Sequence, residues 1–137
     1  MASFADIGAP IKVAIDAANG MAAYTLPKIL EQLSGVEAHS LYMELDGTFP
    51  NHEANPLIEE NLDPLRELVR STGARLGVSF DGDADRCCFV DETGKTVTAD
   101  LMTALMSRRF LRADPGVPVV YDLRSSWVAK EEIEAAG

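Results

Sequence analysis

Positive charge is scarce in this chain. Its 137 residues hold 12 Lys and Arg against 22 Asp and Glu, a formal net charge of -10. Such a surface repels phosphate backbones, and no run of Lys and Arg reverses it locally, so nucleic acid is excluded as a partner. Long hydrophobic runs are missing too. No stretch approaches the roughly 20 apolar residues of a membrane span, which argues against a membrane partner. The N-terminus "MASFADIGAP" lacks the basic-then-apolar order of a signal peptide. Cysteine is limited to the adjacent pair Cys87 and Cys88. Neighbours in an extended strand point to opposite faces, so a bridge between them would be strained. A reducing, cytoplasmic compartment is the expectation. With no further Cys and no nearby His to complete a soft-metal site, the pair reads as ordinary strand residues.

What is present is ordinary globular composition: 47% hydrophobic and 25% charged residues. That suits one domain with a sizeable core and at most a second small piece. The elements alternate. "IKVAIDA" (11–17) is a β-type run closed by the turn "ANG". A helical pattern follows over 21–33, with Leu26, Ile29, Leu30 and Leu33 on one face. Pro27 places its start near Thr25, or a bend there, and Gly35 is the expected left-handed cap. "VEAHSLYMEL" (36–45) reads as a second strand. The loop "DGTFPNHEANPLIEE" exceeds the usual connection length, which often marks function. In "LDPLRELVRSTG", Asp63 is the expected N-cap, Pro64 the first helical residue and Gly73 the stop. "RLGVSF" is a buried-looking strand, "CCFVDETGKTV" a hairpin, and about 99–112 an apolar-faced helix with Arg108, Arg109 and Arg112 near its C-terminal end. "ADPGVP" is linker-like. It leads to a further expected strand, "PVVYDL", and a helix in "SSWVAKEEIEAAG" that early hydroxyl residues can cap.

The chemistry concentrates in "GVSFDGDADRCCFVDETG". Asp81, Asp83 and Asp85 stand at alternate positions where an apolar strand ends. Six carboxylate oxygens that close together repel one another and call for a hard divalent cation. A calcium loop would want Gly where Arg86 stands, and helices where both flanks read as strands. An aspartyl nucleophile of the haloacid-dehalogenase type would want Thr or Val in place of Asp85, whose charge repels phosphate. In the third reading all three carboxylates hold one Mg²⁺ that faces a phosphoryl group. The loop must then curve so that the side chains converge, which Gly82 and Ala84 permit. Arg86 follows as a fork-shaped donor beside the ion. The plain alternative is a solvated acidic turn.

"FDGDADR" followed by "VDETG" resembles the metal-binding loop of the α-D-phosphohexomutases, the phosphomannomutase and phosphoglucomutase family. "VAIDAANGMA" resembles the opening of that family's second domain, "DGTFPNHEANP" its long loop, and "VVYDLRSSW" the opening of its third domain. The resemblance implies a four-domain enzyme that moves phosphate between O1 and O6 of a hexose. It does so through a phosphoserine and a bisphosphorylated sugar, with glucose or mannose 1,6-bisphosphate as activator. It assigns Asp81, Asp83 and Asp85 to Mg²⁺, Arg86 to catalysis and substrate binding, and Arg124 to the substrate. His52 reads as a loop hydrogen-bonder rather than a catalyst, and Asn19 and Gly20 as turn geometry.

The fold expected is α/β, a small mixed four-stranded sheet flanked by helices on both faces. Residues 1–10 are a linker or leftover of a preceding domain. Residues 11–113 form the metal-loop domain, and 114–137 a linker with the first strand and helix of the next. The family's nucleophilic-serine, sugar-selecting and phosphate-clamping segments have no counterpart here. The partners implied are therefore a hexose phosphate and the remaining domains of a longer parent, and the chain by itself is expected to be inactive. A "PVVYDL" strand without its home sheet also suggests a homodimer. Two alternatives stay open, a phosphoglucosamine mutase domain and a non-catalytic divalent-metal module.

Overall fold

The structure, a computed structural model, describes residues 9–137, so all but two residues of the expected 1–10 linker lie outside the described residues. The chain divides into two compact units, the first ending at Thr96 and the second Val97–Gly137. In the first unit β1 (Ile11–Asp16) leads through α1 (Ala22–Leu30) to β2 (Val36–Leu41). A 3₁₀ turn (Glu59–Leu62) runs into α2 (Asp63–Thr72), followed by β3 (Leu76–Phe80) and β4 (Cys87–Asp91). The sheet order is β2-β1-β3-β4-β5, where β5 is the two-residue strand Thr96–Val97. β1 runs parallel to both β2 and β3, and β4 returns antiparallel to β3. The mixed sheet therefore matches expectation, with one short strand more, because the return arm of the hairpin pairs only briefly.

Alternation along β3 shows how the faces are used. A Cβ on Gly77 would lie 2.8 Å from Val69 Cγ2 and 3.1 Å from Leu65 Cγ, so α2 lies directly on that face. Ala14, Leu65, Val69 and Val90 form its core with Leu62 and Ala74. Phe80, an odd number of residues further on, points to the other face and joins Ala22, Ala23 and Leu26 of α1. Helices thus cover both faces, and the central strands β1 and β3 end side by side. In open sheets with parallel strands, ligands gather at those carboxyl ends.

Several local expectations are corrected. α1 begins at Ala22, three residues before Thr25, and carries Pro27 inside it. Buried Ala22 and Ala23 anchor the first turn, and Thr25 N–H already finds Met21 O at 3.2 Å. Gly35 does have positive φ, but α1 has ended by then, and Gly35 instead turns the chain into β2. β2 stops at Leu41, where β1 also runs out of pairing partners, and Tyr42 takes φ 55°. Asp63 is the first residue of α2 rather than its cap, because its carboxylate ion-pairs with Arg66 at 2.8 Å instead of meeting backbone N–H groups. Gly73 ends α2 as expected, and it does so in the left-handed conformation.

In the second unit, α3 (Ala99–Ala113) packs on α4 (Trp127–Ala136). Arg108 reaches Glu132 at 3.3 Å. "PVVYDL" is not a strand. No neighbouring strand pairs with it among the described residues, and a strand exists only through its ladder. Ser126 makes no side-chain cap bond; its N–H meets Asp100 Oδ2 at 3.3 Å instead. No helix among the described residues is long and apolar enough to cross a membrane.

Candidate metal centre

β3 delivers the chain to Asp81, whose N–H still bonds to Arg86 O at 3.2 Å in hairpin fashion. Four residues must therefore turn the chain between them. Ala84 does so at φ 62°, a left-handed conformation that costs an alanine about 1–2 kcal/mol, and its N–H closes on Asp81 O at 3.2 Å. The strand alternation is broken, and Asp81, Asp83 and Asp85 converge: one oxygen from each lies within 4.8 Å of the others. Asp81 is buried, while Asp83 and Asp85 are exposed. Three carboxylate oxygens from one curved loop fit Mg²⁺ or Ca²⁺, which take oxygen ligands and leave sites for water or substrate. The flanks are the strands β3 and β4, so the helix-flanked calcium-loop reading falls.

Arg86 is part of this loop's own wiring. Its backbone N–H donates to Asp81 Oδ1 at 3.1 Å and its Nε donates to Oδ2 at 2.6 Å, with Asp85 Oδ1 at 3.4 Å. Burial acts to raise the Asp81 pKa, but the Arg86 hydrogen bonds and charge outweigh it and hold the carboxyl below its usual range. Asp81 is thus ionised at neutral pH despite its burial. The guanidinium is more than half exposed, and its two Nη groups make no hydrogen bond to the described residues.

Turn residues after β1 support the loop from below. Met21 N–H donates to Gly82 O at 2.9 Å. A Cβ on Gly20 would lie 2.7 Å from Gly82 O, 3.0 Å from Gly82 Cα and 3.1 Å from Asp81 O. Gly20 is therefore a seat for the aspartate loop, beyond the turn geometry its sequence suggests; the only local signal is a glycine in the turn that follows a strand. Asn19, at φ 58°, donates to Glu44 O at 2.8 Å and accepts from Asn51 Nδ2 at 2.7 Å, tying this turn to the long loop.

The long loop crosses above. Phe49 Cζ and Ala54 Cβ lie 3.2 and 3.6 Å from where a Gly82 Cβ would stand. His52 bonds through both ring nitrogens, Nδ1 to Glu53 O at 2.8 Å and Nε2 to Asp16 Oδ2 at 3.0 Å. Its reading as a hydrogen-bonder holds, but its partner Asp16 was not singled out from sequence. A carboxylate closing the apolar strand "VAID" is the signal that could have marked it.

Cys87 and Cys88 are free thiols on β4, and burial pushes both pKa values up, as befits strand residues rather than nucleophiles. Arg124 belongs to the second unit. Its Nε and Nη2 hold Asp122 at 3.0 and 3.1 Å, and these hydrogen bonds bring the Asp122 pKa down to about 2.

Fold and loop together define an α/β domain with three converging carboxylates at the carboxyl ends of its parallel strands. Residues 3–94 match the sequence model of phosphoglucomutase/phosphomannomutase, alpha/beta/alpha domain II. A phosphomannomutase/phosphoglucomutase of Pseudomonas putida is 40% identical over 83% of this chain and 24% of its own length. A phosphomannomutase of Salmonella typhimurium is 35% identical over 93% of this chain and 29% of its own. The crystal structure of a phosphoglucomutase/phosphomannomutase family protein from Burkholderia thailandensis superposes with a TM-score of 0.89 at 31% identity, over 93% of this chain and 28% of that one. The chain belongs to the phosphoglucomutase/phosphomannomutase family and contains its domain II. It spans about a quarter of the length of these relatives.

Proposed function

We propose that this chain serves as the metal-loop domain of a cytoplasmic phosphohexomutase, an enzyme that moves phosphate between O1 and O6 of a hexose phosphate. Residues 11–113 form that domain, and 114–137 lead into the next. The observation that carries the reading is the convergence of Asp81, Asp83 and Asp85, one oxygen of each within 4.8 Å of the others. These three would hold one Mg²⁺, which supplies Lewis-acid neutralisation of a phosphoryl group. Buried Asp81 fixes the loop, and exposed Asp83 and Asp85 present their oxygens outward. Arg86 keeps Nε on Asp81, and both Nη groups, without a partner among the described residues, can meet phosphate oxygens as a fixed donor pair where charge develops in transfer. Arg124 is the weaker partner, since its guanidinium must leave Asp122 to meet a substrate.

The phosphoserine, the sugar-selecting groups and the bisphosphate activator's contacts belong to other domains of the parent, and the chain alone is inactive. The test replaces the matching segment of the Pseudomonas putida relative with this chain. Turnover of mannose 1-phosphate and glucose 1-phosphate is then compared with that of the same chimera carrying Asp83→Ala. Turnover that falls by about 100-fold or more in the folded variant supports the reading. Equal turnover in both contradicts it and favours the rival, a loop that binds metal only to stiffen the fold.

A further inference from the structure

Asp16 is a fully buried carboxyl whose Oδ1 accepts the Ala18 N–H at 2.8 Å and whose Oδ2 faces His52 Nε2 at 3.0 Å. Across the sheet its register partner is Ser79, whose buried hydroxyl has no hydrogen-bond partner, so His52 is the one side chain that bonds to Asp16 among the described residues. His52 itself keeps only 10% of its side chain exposed. Its Nδ1 faces the Glu53 carbonyl, which can only accept, so Nδ1 carries a hydrogen. The gap between Nε2 and Oδ2 must then hold a second proton, on one atom or the other. With that proton the pair is neutral overall and every polar atom is satisfied. Without it, a lone pair and a buried negative charge face each other, a costly arrangement. Burial already pushes the Asp16 carboxyl pKa up, against the Ala18 hydrogen bond and the His52 charge. The other titratable group facing the pair is Tyr42, packed edge-on at 5.3 Å from the His52 ring, with a pKa raised by burial and then by Asp16. It therefore stays neutral and supplies no counter-charge.

His52 stands in the middle of the loop that carries Phe49 and Ala54 against Gly82, the residue between the first two aspartates. We propose that Asp16 and His52 form a one-proton latch that positions the metal loop: the shared proton holds the long loop down over Gly82, and its loss lets that loop lift. These two are positioning residues. Only their consequence for the ion rests on the metal-site reading above; the latch itself needs no metal.

The test is NMR of the chain followed as pH is raised. The ¹⁵N signals of His52 report the shared proton, and the Gly82 amide reports the Phe49 ring above it. Half-buried His39, paired with Glu37, is the internal control. In the wild type, Gly82 is expected to shift in step with His52, toward an open loop as the proton leaves. In Asp16→Asn the direction should reverse, since an amide Nδ2–H bonds only an unprotonated Nε2. His52→Gln, which keeps a donor toward Asp16, should hold Gly82 near its closed position at every pH. His52→Phe should leave it open and weaken Mn²⁺ binding about fivefold or more. A Gly82 signal that ignores His52, or the same direction of shift in Asp16→Asn as in the wild type, overturns the latch. If His52→Phe does not fold, the wild-type and Asp16→Asn titrations still decide. Reversal in Asp16→Asn without Mn²⁺ at the aspartates in any variant upholds the latch and removes the metal reading instead.

Discussion

Replacing Gly20 by alanine tests whether the turn after β1 really seats the metal loop. The new Cβ would stand 2.7 Å from Gly82 O, 3.0 Å from Gly82 Cα and 3.1 Å from Asp81 O, and all three atoms are backbone that cannot rotate away. Overpacking of that kind costs about 1–3 kcal/mol. Moving the loop also gives up the Met21 N–H to Gly82 O bond of 2.9 Å, worth about 1 kcal/mol. The smaller conformational entropy of unfolded Ala returns about 0.4–1 kcal/mol. The net expectation is a loss of about 1–3.5 kcal/mol. At a urea slope near 2 kcal/mol per molar, the midpoint falls by about 1 M. Gly47→Ala is the control, since a Cβ there meets nothing within 4 Å, and its effect should stay within about 0.5 kcal/mol. Because the strain falls on Gly82 and Asp81, Gly20→Ala should weaken divalent-ion binding as well. Urea midpoints that coincide for wild type, Gly20→Ala and Gly47→Ala would refute the seating argument.

Three further substitutions probe the frame around the site. Leu65→Ala removes a fully buried side chain where α2 meets Gly77, and should lower stability by about 2–5 kcal/mol by chemical denaturation. Gly73→Ala puts a Cβ into open space but at φ 67°; a loss of about 1–2 kcal/mol is expected from conformation alone, and no loss would argue against the left-handed cap. Asp81 has a lowered pKa in the fold, through Arg86 acting against burial. Its stabilisation is present above the ordinary carboxylate range and is lost as pH falls through that lowered value. Thermal melts of Asp81→Asn at falling pH should therefore lose less stability than wild-type melts do, and parallel curves would contradict the ion-pair account.

What could be read from the sequence is what local spacing governs. Leu65 and Val69 share a helical face, Gly73 stops the helix, and three aspartates at alternate positions cannot converge unless the chain curves. Each of these follows from a few consecutive residues. What was missed depends on partners far apart in the chain. Gly20 looks like any turn glycine until Gly82 arrives 62 residues later. Asp16 looks like a strand end until His52 folds over it. Asp63 has the sequence of an N-cap, yet Arg66 one turn on attracts its carboxylate more strongly. "PVVYDL" has strand composition, but composition supplies no neighbour to bond with, and Val120 and Leu123 stay almost wholly exposed. The family resemblance suggested a role for the aspartates; the structure supplied the second loop and the turn that hold them in place.

The most direct test of the central claim is where a divalent ion binds this chain. With a formal net charge of -10, diffuse attraction of cations to the surface is the competing outcome. Substoichiometric Mn²⁺ added to ¹⁵N-labelled chain, with Mg²⁺ as competitor, separates the two by paramagnetic broadening. The account predicts broadening centred on residues 81–86 and on Gly20 beneath them, reversed by Mg²⁺ and abolished by Asp83→Ala. Broadening spread over the acidic surface and unchanged by Asp83→Ala would contradict it.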